Sequence, residues 1–249
     1  MKKIKEFFIA ILIIGALGTV IYFMYQSGSN HTNRELAKRM AEISPRGGPP
    51  ESIEGLRKAI SLYEDQIERN VREGAQTGIY WKILATRLAD RNMHNDALNA
   101  LERAIYFNTE DPSLFYLTGV SAASVAASVV GFSNAAEREK EHFFRLAENS
   151  YLRAIDLDIT YTKPMYGLAV LYVFELDKPQ EAIPYLERYL QIMTSDFMAM
   201  FVLARAYYMT GNSSMAIEVY DRIADRTRDN RIKEEALINK DIIQGRRYE

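Results

Sequence analysis

Four times along this chain a large apolar residue precedes or abuts a small one, with an alanine following at a repeatable distance, and this succession limits the fold more than any other feature. The clearest copy is Leu203-Ala204, Tyr207, Gly211, Ala216 and Tyr220. Upstream stand Leu168-Ala169, Tyr172, Ala182 and Leu186; then Phe115, Gly119, Ala147, Tyr151 and Ala154; and first Trp81, Leu84-Ala85, Leu88, Ala97, Leu101 and Ala104. A small residue on one helix and an alanine on the next let two helix axes approach, while large side chains fill the flanks. The repeat predicts pairs of antiparallel helices stacked into an all-α solenoid, each pair burying its apolar face against its neighbours. Since no stretch holds a period of two with turn chemistry, no sheet is expected.

The succession resembles the tetratricopeptide repeat, a helix-turn-helix unit of 34 residues. The resemblance covers roughly residues 78–230, as four repeats at 78–111, 112–161, 162–196 and 197–230. The small residue and the alanine are separated alike in the first and fourth copies, Ala85 to Ala97 and Ala204 to Ala216, and by one more residue in the third. In the second copy, Gly119 to Ala147 is far longer, an insertion that should lengthen both helices and make the pair protrude. Gly131 could close the first of them, and Asn134 with Glu137 resembles a capping box opening the second. Asp111-Pro112 reads as an N-cap followed by a proline in the first turn. Tyr189 and Ile223 depart from the family pattern, which has a small alanine there.

Ahead of the repeats, Ile53, Leu56, Ile60, Tyr63, Ile67 and Val71 step by three or four along one helical stripe. A packing helix is expected over 51–77, and a polar capping helix over 231–249, with Ile232, Ala236 and Ile243 facing inward. Further upstream, residues 7–25 carry no charge, and at about 1.5 Å per residue a helix of that length nearly spans a bilayer core. Lys2, Lys3 and Lys5 precede it and Tyr22 and Tyr25 lie near its far end. This reads as a cytoplasmic stub and uncleaved transmembrane signal anchor over 1–25, N-terminus inside. Residues 26–50, with the breaker cluster Ser44-Pro-Arg-Gly-Gly-Pro-Pro50 and a short helical candidate from Arg34 to Ile43, read as a flexible tether. The expected location is the inner membrane, single-pass, with the repeats on the extracytoplasmic side.

Lys and Arg total 31 against 33 Asp and Glu, so the overall basic field that neutralises phosphates is missing and nucleic acid is not an expected partner. With no cysteine there are no disulfides and no thiolate chemistry. His31, His94 and His142 are not spaced as metal ligands and are read as solvated surface. No phosphate loop, nucleophile elbow or paired-carboxylate motif is present, so no catalytic residue, cofactor or metal is expected.

What the resemblance implies instead is a concave surface lined by the first helix of each pair. Its ligand-facing positions fall on Lys82, Thr86 and Ala89; Tyr116, Val120 and Ala123; Tyr166, Val170 and Val173; and Phe201, Arg205 and Tyr208. A groove built on Lys82, Tyr116, Tyr166, Phe201, Arg205 and Tyr208 would be aromatic and apolar with few charges, suited to an extended or helical peptide. Some family members grip a partner's C-terminal carboxylate with a Lys, Asn and Arg clamp. Here only Lys82 fits it, so that clamp is not expected. The expected function is a non-enzymatic, membrane-anchored scaffold that binds a protein partner in assembling an envelope complex. The alternative is a chaperone-like periplasmic holder of newly translocated chains.

Overall fold

A computed structural model of the chain describes residues 34, 36–43, 49–50, 52–131 and 133–245. The expected anchor at 7–25, most of the 26–50 tether and His31 lie outside the described residues. Among the described residues no helix is long and apolar enough to cross a membrane. The chain divides into two compact units, 1–73 and 74–249.

In the first unit, α1 occupies 36–43, within the helical candidate read from the sequence. It is followed by the start of α2, Ile53–Ala89, which is one continuous helix of 37 residues. The packing helix expected over 51–77 and the first helix of the first repeat are therefore a single element, and the unit boundary falls inside it. A Cβ on Gly55 would lie 2.8 Å from Pro50 Cβ and 3.6 Å from Ile43 Cγ2, so the glycine admits the incoming chain.

The second unit contains the end of α2 and α3 (His94–Phe107), α4 (Pro112–Ser128), α5 (Asn134–Leu157), α6 (Thr162–Phe174), α7 (Pro179–Ile192), α8 (Phe197–Met209), α9 (Ser213–Arg226) and α10 (Asn230–Ile243). From α3 onward successive helices pack on one another, and α4, α6, α8 and α10 also contact in series, forming one layer of the stack. The small positions of the repeat are all buried: Ala85, Gly119, Ala169 and Ala204 on first helices, and Ala97, Ala147, Ala182 and Ala216 on second helices. The alanines on second helices could not grow without pushing apart a helix crossing.

Helix starts follow local chemistry. The Asp111 carboxylate accepts from the Ser113 N–H at 2.9 Å, with Pro112 spending no donor in the first turn. Asp196 caps α8 through the Ala199 N–H at 3.1 Å, and Asp229 caps α10 through the Arg231 N–H at 2.8 Å. For α5 the cap is Ser133, which accepts from the Ala136 N–H at 3.2 Å, one residue earlier than the Asn134 box expected from sequence. Gly131, with φ of +145°, lies in the connection after α4 has ended at Ser128. The insertion lengthens α4 to 17 residues and α5 to 24, against 13 and 14 for α6 and α7. At the far end α10 packs on α8 and α9 with Ala236 fully buried.

Candidate functional site

The first helices of the last two repeats are apolar nearly all round, so each buries one face in the stack and leaves aromatic residues on the other. Tyr166 and Val170 on α6 meet Phe201, Arg205 and Tyr208 on α8 across a groove of about 480 Å³. Residues 166 and 170, and 201, 205 and 208, are spaced by three or four and so share a helical face. α10 supplies the third wall with Glu235, Asn239, Ile242 and Ile243, and Phe174 and Tyr220 are also part of the lining.

The rings brace one another. Tyr166 lies 5.4 Å from Tyr189, centroid to centroid, and Phe201 lies 5.9 Å from Tyr220, within the range of favourable aromatic pairs. Tyr189, where the family pattern has alanine, donates its hydroxyl to Asp196 at 2.6 Å, so it ties the end of α7 to the cap of α8. Its pKa is raised by burial and by that hydrogen bond. Arg205 sits over the Phe174 ring at 4.8 Å, a cation–π contact that orients the guanidinium while leaving its N–H donors for a ligand. Burial raises the Tyr220 phenol, with Arg205 pulling it down and Glu235 pushing it up, so both charges act at the floor of the groove. Tyr208 is 51 % exposed at the rim. The arrangement can bury apolar side chains between two rows of rings and donate to one carbonyl or carboxylate.

Of the six residues expected to form a groove, Tyr166, Phe201, Arg205 and Tyr208 come together. Lys82 does not join them: its ammonium is paired with Asp111 at 2.7 Å, where burial of the carboxylate is outweighed by hydrogen bonds from Lys82 and Ser113 that lower its pKa. Tyr116 is half-buried between Tyr151 at 6.2 Å and Tyr161 at 5.6 Å, a ring cluster within the stack. Val173 is buried at 3 %, and Phe174, the last residue of α6, lines the groove in its place. Sequence reasoning missed the α10 wall. Glu235, Asn239 and Ile242 are spaced as one helical face, a signal masked by reading α10 only through its inward stripe.

A second cavity, of about 430 Å³, opens on the other layer, where Leu98 and Ile105 of α3 face Phe143 and Leu146 of the lengthened α5. His94 is half-buried at the start of α3 with a buried, unpaired Nδ1, not solvated as the sequence suggested.

The sequence model of the tetratricopeptide repeat matches residues 173–237. A TPR repeat-containing protein of Borreliella burgdorferi is 23 % identical over 214 residues, 85 % of this chain and 90 % of its own length. Among solved structures, YrrB, described as a TPR protein with an unusual peptide-binding site, superposes with a TM-score of 0.57 at 16 % identity, over 73 % of this chain and 84 % of its own. TTC0263, a thermophilic TPR protein of Thermus thermophilus, gives 0.51 at 14 % identity over 76 % and 90 %. The fold is an all-helical solenoid of the tetratricopeptide type.

Proposed function

We propose that this chain is a non-catalytic adaptor that holds a segment of another protein in the groove between α6, α8 and α10. The carrying observation is the convergence of Tyr166, Phe201, Arg205 and Tyr208 around one open concavity with an unspent guanidinium at its centre. Peptide binding by YrrB, which shares the fold, supports the same use of a solenoid surface. The uncharged segment 7–25 supports a membrane tether for the repeats, on the extracytoplasmic side given the lysines before it, and hence a part in assembling an envelope complex. The mostly apolar lining with few fixed polar groups also favours a second reading, a holder of newly translocated chains, because rings without a polar code discriminate poorly between ligands.

The test is affinity capture from the host envelope with the full chain and with a Phe201→Ala/Arg205→Ala variant. One dominant partner, weakened about tenfold or more in the variant, supports the adaptor. A spread of unrelated secreted proteins lost in the variant supports the holder. Equal capture by both chains overturns the groove as the site. Separately, alkaline extraction should leave the full chain in the membrane pellet and release a chain lacking residues 1–25; release of both sinks the tether.

A further inference from the structure

Among the described residues, the apolar stripe on α2 ahead of the repeats is exposed. Ile53, Ile60 and Ile67 are 72 %, 55 % and 61 % exposed, and Leu56 and Tyr63 between them are 41 % and 50 % exposed. Exposed singly such residues mean little, but these five alternate by three and four, which is the a/d repeat of a coiled coil, with isoleucine at each a position and Leu56 then Tyr63 at d. The side chains that flank this seam on one side already have neighbours: Ala59 is buried and Gln66 half-buried, on the side of the helix where Ile43 approaches Gly55. On the other flank stand Arg57 and Glu64, at successive e positions. Two other charge pairs lie along this helix's own surface, Lys58 with Glu54 at 2.9 Å and Arg72 with Glu68 at 2.7 Å.

We propose that residues 53–71 of α2 pair with the same residues of a second copy of this chain, antiparallel and in one register. In that register Leu56 packs against Ile67 of the second copy and Ile60 against its Tyr63. The polar d residue, Asn70, falls opposite Ile53 at the two ends, where water reaches it. The charges select this arrangement. Antiparallel helices bring e positions together, so Arg57 meets Glu64 of the second copy, twice by symmetry. Sliding by one heptad either way sets Arg57 against Arg57 or Glu64 against Glu64, and like charges there are unfavourable. A parallel pair places Ala59 beside Glu64 and Gln66 beside Val71, with no opposite charges to fix it. The self-complementary patch is what a two-fold dimer requires.

The absence of native cysteine makes the test direct. Full-length chains carrying Leu56→Cys and Ile67→Cys, with different tags, are co-expressed in the host and oxidised before lysis. Disulfides need Cα atoms within about 7 Å, and residues eleven apart on a helix are about 16 Å apart. The mixed pair should therefore cross-link about tenfold more than either variant with itself. Adding Glu64→Arg to both chains should cut the yield several-fold, and adding Arg57→Glu as well should restore it. All these positions are exposed, so unchanged melting would confirm intact folding. No cross-link, cross-links of Leu56→Cys to itself as a parallel pair would give, or a yield indifferent to the charge changes would overturn the proposal.

Discussion

Tyr151 is the residue about which two helix crossings are set. A Cβ on Gly119 would lie 2.5 Å from its ring, and one on Gly167 would lie 2.9 Å from its Cζ. The α4 and α6 backbones thus both approach one tyrosine on α5, which is 4 % exposed. Gly119→Leu should destabilise the fold by about 1–3 kcal/mol in denaturant unfolding, through overpacking. Gly119→Ala should cost measurably less when combined with Tyr151→Leu than the two single costs summed, since the clash and its cause are removed together. Additive costs would show that the ring does not set this crossing. Gly119 was legible in the sequence because it occupies a position of the repeat. Gly167 was not, because its constraint arises between repeats, from a ring on the helix before it, and no spacing within one copy reports that.

Elements declare their starts better than their continuity. The aspartates before α4 and α8 could be read directly, since an Asp ahead of an apolar run is the chemistry that satisfies free N–H groups. The join of α2 across 74–78 could not, because two glycines there look like a break. In the structure Gly78 stays helical and serves packing: a Cβ would lie 2.8 Å from Phe107 Cβ. Asp196 has two tasks, capping α8 and accepting from Tyr189, so Asp196→Ala should destabilise more than loss of the cap alone, about 1 kcal/mol or above by chemical unfolding. Tyr189→Phe should reproduce only part of that loss. Pro184 lies inside α7, is exposed, and removes a helical N–H without filling a core site. Pro184→Ala should therefore raise stability by about 1–3 kcal/mol. A lower melting temperature for this variant would mean that the proline is needed for α7 to fit its neighbours.

Across the whole molecule, phenols recur where repeats meet, and their ionisation couples to folding. Burial and the hydrogen bond to Glu187 push Tyr207 up to about 12 from 10.0, and burial with the nearby Tyr116 and Asp111 pushes Tyr161 up to about 12. An acid whose pKa is raised in the folded state keeps its proton after the unfolded chain has lost its own. The contribution is complete below pH 10 and is lost as pH climbs from 10 to about 12. Stability should fall over that window, with tyrosinate absorbance rising together with loss of helix, and Tyr207→Phe should flatten the fall. The same scale governs the groove. Its α6 and α8 walls were legible because each lies within a repeat, whereas the α10 wall depends on how the last helix returns across the stack, which no periodicity states. That Lys82 and Tyr116 turn to Asp111 and to a ring cluster has the same origin: their partners come from elements distant in sequence.

The central claim is that the α6–α8–α10 concavity, and not the outer layer, is where a protein partner sits. It is tested most directly by placing a photo-crosslinking amino acid at Tyr208, at the groove rim, or at Met215 on α9, in the full chain in its host, and identifying the adducts by mass spectrometry. The account predicts a defined protein adduct from Tyr208 that disappears when Phe201→Ala and Arg205→Ala are added, with little from Met215. Equal capture from both positions, or capture at Tyr208 that survives loss of the groove residues, would contradict it.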